Sequence, residues 1–162
     1  MKYFSIALLL IVSFVVIGCS KGPKKPKELP KLYPLTITLT QEGVPCAEAH
    51  INLEPVEKKE SFKWSLGGLT DANGVLKIMT NGNWDGCPEG EYIVRVSKEV
   101  ILERAEAQEG AGEGMPTKII RTIPKKYGSK STSDLKITVK AGQNDEKLDI
   151  GPAIEENVPV AG

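Results

Sequence analysis

The side chains of this chain best equipped for chemistry are one histidine, three cysteines and two tryptophans, and their spacing limits what they can do. His50 alternates with Ala49, Ile51 and Leu53, which form the inward row of a strand, so it faces outward. A lone outward imidazole with no nucleophile beside it is a surface residue rather than a general base. No Gly-x-Ser-x-Gly elbow is present, and neither is a His-Glu-x-x-His or Cys-x-x-Cys pair. One histidine and two distant cysteines make a poor zinc set. The expectation is therefore no catalytic residue, no metal and no cofactor, in a protein that is not an enzyme. Asp71-Ala72-Asn73-Gly74 has the opening oxygens of a calcium loop, but the third ligand and the closing glutamate are missing, so it reads as a tight turn. Asn81, Asn83 and Asp85 put three oxygen-bearing side chains into one loop, which suits calcium or plain loop solubility equally. Trp64 and Trp84 both lie in connections rather than in alternating rows. Each ring is a candidate ligand contact that stacks on a sugar face or anchors a partner, or else it caps an open end of the fold.

The elements that must position these residues are short strands. Sparse aromatics, frequent glycine and eleven prolines suit many turns better than long helices. Leu35, Ile37 and Leu39 alternate with threonines in a first strand. Ala49 to Leu53 gives a second, residues 66–70 a third, and Leu76 with Ile78 a fourth. Tyr92, Val94 and Val96 form the inward row of a fifth. Residues 98–108 are good helix formers and predict a short helix, decaying into a glycine-rich hinge over 109–114. Residues 117–123, 135–139 and 148–150 complete a set of seven or eight strands. With a turn signal every ten residues or so, this predicts an all-β, immunoglobulin-like sandwich with a core lined by Ile37, Ile51, Val94 and Ile137.

The N-terminus speaks of location. Lys2 precedes an apolar run over residues 6–17 that is too short to span a bilayer and ends in Gly18-Cys19. A branched apolar stretch followed by Gly and Cys resembles the lipobox of bacterial lipoproteins, although Ile17 departs from the small residue usual at its place. The resemblance implies that residues 1–18 are a signal peptide and that Cys19 is diacylated and becomes the first mature residue. Ser20 in place of an inner-membrane retention aspartate implies the outer membrane of a bacterial envelope. Residues 19–33, rich in Lys and Pro, read as an extended tether, and residues 152–162 as a disordered tail. Between them lies the sandwich, residues 34–151. Acidic and basic residues balance at 21 each, so no global field steers nucleic acid, and no nucleic-acid partner is expected. The expected contacts are the membrane, through the N-terminal lipid, and envelope proteins or glycans. Cys46 and Cys87 remain. An oxidising compartment favours a disulfide between them, whereas strands that reverse at every turn place them at opposite ends of the sandwich.

Three pieces resemble the carboxypeptidase regulatory-like domain of the transthyretin-like group. They are Gly43-Val44-Pro45 with Ala49-His50-Ile51, Thr70-Asp71-Ala72-Asn73-Gly74-Val75-Leu76, and Pro88-Glu89-Gly90-Glu91-Tyr92-Ile93-Val94. These are turn-and-strand motifs, which imply a fold and say little of function. The enzymatic branch of that group, the 5-hydroxyisourate hydrolases, relies on several histidines, an arginine and a Tyr-Arg-Gly-Ser-type C-terminus. This chain has His50 alone and ends in Asn157-Val158-Pro159-Val160-Ala161-Gly162. The hydrolase site does not carry over. The expected function is that of a non-catalytic lipid-anchored envelope protein whose sandwich is a binding or scaffold module, with a carbohydrate-binding module as the alternative.

Overall fold

The computed structural model describes residues 24–57, 62–106 and 114–160. Cys19, the leader and most of the glycine-rich hinge lie outside these residues.

The alternating patterns become strands, and the fold is all-β and sandwich-like. In chain order the strands are β1 (Leu32–Tyr33), β2 (Leu35–Gln41), β3 (Val44–Pro45), β4 (His50–Pro55), β5 (Leu66–Leu69), β6 (Val75–Lys77), β7 (Met79–Thr80) and β8 (Trp84–Asp85). They continue with β9 (Cys87–Pro88), β10 (Gly90–Ser97), β11 (Glu99–Arg104), β12 (Pro116–Arg121), β13 (Lys136–Val139), β14 (Asn144–Asp149) and β15 (Glu156–Val158). All eight expected strands are present; most of the additional ones are two-residue pairings. A six-stranded sheet runs β13-β10-β4-β5-β7-β8. A second sheet sets β2 between β14 on one edge and β3 with β6 on the other.

Period-two burial joins the two sheets. Leu35, Ile37 and Leu39 of β2 share one apolar cluster with Ile51 and Leu53 of β4, Val94 and Val96 of β10, and Ile137 and Val139 of β13. Ile37, Ile51 and Val94 are fully buried and Ile137 is 4 % exposed, as the alternation predicts. The hydroxyls of the buried residues Thr70 and Ser133 are satisfied, whereas the buried Thr122 Oγ1 has no partner among the described residues. Thr70 Oγ1 donates to the Cys46 carbonyl at 2.7 Å and accepts the Ala49 N–H at 2.8 Å. Ser133 Oγ donates to the Val94 carbonyl at 2.6 Å. The turn at Asp71–Gly74 forms as read: Asp71 Oδ1 accepts the N–H groups of Asn73 and Val75, and Gly74 takes φ +71°.

Four expectations are corrected. The segment predicted as a helix after the fifth strand is strand β11, paired with β12 so that Val100 faces Ile120 and Ile101 faces Ile119. Helix propensity differences amount to only a few tenths of a kcal/mol per residue, and a ladder of β-branched cross-strand pairs outweighs them. The tail is not structureless: β15 adds to β12 antiparallel, Arg121 reaches Glu156 at 3.2 Å, and the Ile154 N–H donates to the Thr122 carbonyl. The tether is absorbed into the domain earlier than residue 34. Leu29 is buried, and β1 pairs with β9, Tyr33 opposite Cys87. Finally, the strands do not all reverse, because β14 runs parallel to β2.

Candidate functional site

A cleft of about 730 Å³ opens where four chain segments converge. Each wall follows from local structure. Pro55 and Val56 close β4, and the Val56 N–H donates to the Glu91 carbonyl at 2.9 Å, which pins the end of β4 to the start of β10. Lys130 Nζ caps the carbonyls of Pro55 and Val56 at 2.6 and 3.3 Å. Pro88 is held by its pairing with Leu32, and the Tyr92 hydroxyl donates to the Pro88 carbonyl at 2.8 Å, so Tyr92 forms a rigid floor. Glu28 and Pro30 supply the wall contributed by the tether.

Phe62 and Trp64 complete the aromatic side. Trp64 packs edge to face on Trp84, with ring centroids 6.3 Å apart and planes at 88°. Trp84 stands behind it and does not line the cleft. Both rings are half-buried, so neither is a free platform and neither is core. The Trp84 indole N–H is buried without a hydrogen-bond partner. The two candidate ligand contacts thus differ in role: Trp64 faces the cleft, and Trp84 supports it.

The remaining lining is acidic. Glu57, Glu89 and Glu91 join Glu28, and among the described residues the lining includes no lysine or arginine. Glu28 is taken by Lys63, at 2.7 Å, and this contact holds the Glu28 carboxyl below its ordinary range. The same ammonium lies 5.7 Å from the Trp64 ring centroid. Among the described residues, no ion pair forms at Glu57, Glu89 or Glu91.

A second cleft, of about 580 Å³, lies between the end of β10 and the turn around Lys125–Gly128. Two of its three lining cations are engaged: Arg121 holds Glu99 and Glu156, and Lys126 holds Asp134 at 3.0 Å.

His50 is exposed, between Leu69 and Ser97 of the neighbouring strands, and it lines neither cleft. Among the described residues, no group of three or more His, Cys, Asp or Glu side chains is placed to hold a metal ion. Asn81 Oδ1 accepts from the Ser65 N–H and hydroxyl, and Asn83 Nδ2 donates to the Asn81 carbonyl, so these amides build their loop.

Cys46 and Cys87 are free and buried. The Cys46 N–H bonds Leu39 near one end of β2, whereas Cys87 pairs with Tyr33 ahead of the other end. Six residues of extended chain separate Leu39 from Tyr33, about 20 Å, far beyond disulfide reach. Burial pushes the Cys87 thiol up to about 12.

Sequence reasoning singled out Trp64 but missed its carboxylate neighbours. Glu28, Glu57 and Glu89 come from three segments with no common periodicity. The one legible signal was Glu89-Gly90-Glu91-Tyr92, two acids on alternate positions at a strand start. Comparison with protein-family models, with curated proteins and with solved structures finds no match. Among the described residues, no helix is long and apolar enough to cross a membrane.

Proposed function

We propose that the chain is a lipid-anchored bacterial envelope protein whose sandwich is a non-catalytic binding module, with the Trp64 cleft as its ligand site. The observation that carries the reading is the cleft itself. It has an aromatic and proline lining, a volume within the usual range for ligand sites and, among the described residues, no histidine, cysteine or hydroxyl nucleophile other than the engaged Tyr92 in its walls. The turn-and-strand resemblance to carboxypeptidase regulatory-like domains is compatible with the same reading, because it carries a fold without the hydrolase residues. The lipobox-like Gly18-Cys19 supports anchoring.

A second reading is a carbohydrate-binding module. It draws on the half-exposed Trp64 ring, which lies beside acceptor carboxylates in the manner of a sugar site.

Two experiments test the main reading. Cys19→Ala should leave an uncleaved, unlipidated precursor that moves to the aqueous phase in detergent partitioning. Normal partitioning by that variant removes the anchor. Trp64→Ala in a still-folded protein should abolish retention of whatever envelope component the wild type captures, and unchanged retention removes the cleft.

A further inference from the structure

We infer that the Trp64 cleft binds a cationic peptide, an extended segment of a partner protein that carries lysine or arginine side chains. The inference rests on the binding-module reading above and names its ligand class.

Charge is the first argument. Glu57, Glu89 and Glu91 line the cleft, and among the described residues none has an ion-pair partner. The chain as a whole is neutral, with 21 residues of each sign, so this local excess is not a reflection of bulk composition.

The second argument is an ammonium already seated at the rim. Lys63 Nζ lies 2.7 Å from Glu28 Oε2 and 5.7 Å from the centre of the Trp64 ring. Carboxylate plus aromatic face is the pair of groups that recognises an amine or guanidinium. Glu57, Glu89 and Glu91 share the cleft lining with the aromatic side chains Phe62 and Trp64, and among the described residues no cation pairs with them.

Size points to a chain rather than a single ion. Glu57 comes from the segment that closes β4, and Glu89 and Glu91 from the segment that opens β10, so a ligand that meets both walls carries more than one cation. The lining is otherwise proline and aromatic, flat apolar faces against which an extended, proline-containing backbone packs without needing a free strand edge. A cleft of about 730 Å³ holds several residues and is far too large for one ion.

A neutral sugar fits less well. The indole that would stack on it already carries Lys63, and a neutral ligand leaves three carboxylates without a counter-charge.

The test uses the full acylated chain in non-ionic micelles, titrated with two probes: an acetylated Lys-Pro-Lys-Pro-Lys amide and poly-L-lysine. A Glu-for-Lys peptide and chitotriose serve as controls, with binding read by tryptophan fluorescence and calorimetry. The expected result is saturable binding of at least one lysine probe and none of the Glu-for-Lys peptide. Affinity should fall roughly tenfold between about 0.05 and 0.5 M salt. Glu89→Gln/Glu91→Gln should weaken binding at least fivefold with an unchanged melting temperature, since both side chains are exposed and unpaired. Silence of both lysine probes overturns the inference, and so does binding indifferent to the double substitution. Saturation by chitotriose with the lysine probes silent overturns the cationic ligand while leaving the binding module intact. The N-terminal mass of the same sample reads lipidation separately.

Discussion

The carboxylate of Asp149, at the end of β14, accepts the N–H of Gly43 at 2.8 Å and so fastens the parallel strand to the turn that follows β2. The Thr40 hydroxyl donates to the same oxygen at 2.8 Å, and the Gly151 N–H reaches the other at 2.9 Å. Led by the Gly43 N–H, then Gly151 and Thr40, these donors favour the charged form and hold Asp149 at about 2, against an ordinary value of 3.8. A carboxyl depressed in the fold stabilises it fully above its unfolded value, and that contribution is lost as pH falls through the folded one. Urea unfolding from pH 5 to pH 2 should therefore show an acid limb in the wild type that is flatter in Asp149→Asn. Equal limbs would mean the clamp is already present in the unfolded chain or is absent from the fold.

Ile51 is fully buried in β4 and opposes Val96 of β10. Ile51→Ala should cost about 2–5 kcal/mol in chemical denaturation, from lost transfer energy plus the cavity left behind. A change within about 0.5 kcal/mol, the usual surface value, would put the β4 register off by one residue.

Gly67 of β5 has φ +151°, and a Cβ there would lie 2.1 Å from the Ile51 carbonyl oxygen. The obstacle is backbone in a central ladder, so it cannot swing aside. Gly67→Ala should lower stability by more than the about 1 kcal/mol typical of a point substitution. Gly82→Ala, with open space at its Cβ position, serves as the comparison, because it carries positive-φ strain (φ +66°) without a clash. Equal losses from the two would remove the close approach as the cause.

The Trp84 indole N–H is buried and unpaired, so its ring contributes through packing on Trp64. Trp84→Phe should cost clearly less than Trp84→Ala, because it keeps an aromatic partner and removes the unsatisfied donor. Matched losses, read as thermal midpoints, would mean that an unseen partner satisfies the N–H.

Burial raises both thiols, Cys87 to about 12 and Cys46 also upward. Alkylation by iodoacetamide at pH 8 should leave both peptides unmodified in the folded protein and modify both in urea. Rapid native labelling of Cys87 would show that the β1–β9 ribbon opens locally.

Much of the fold was legible because a half-buried strand must alternate, and Leu35-Thr36-Ile37-Thr38-Leu39 can satisfy water and core in only one register. The outward His50 and the Asp71 turn follow from the same local physics. Residues 99–104 and 156–158 were not legible as strands, because their β structure depends on β12, a partner distant in sequence, and weak local preferences give way to cross-strand pairing. For the cysteines the sequence left two readings open, compartment against strand reversal, and the pairing of β1 with β9 decided for separation. The cleft was decided entirely by tertiary structure. The pairing of Leu32 with Pro88 and the hydrogen bond from Val56 to Glu91 bring the tether, the end of β4 and the start of β10 to one place. Only there do Glu28, Glu57, Glu89 and Glu91 line one cleft with Trp64, because convergence of side chains from separate segments is a property of the packed chain and not of any stretch of it.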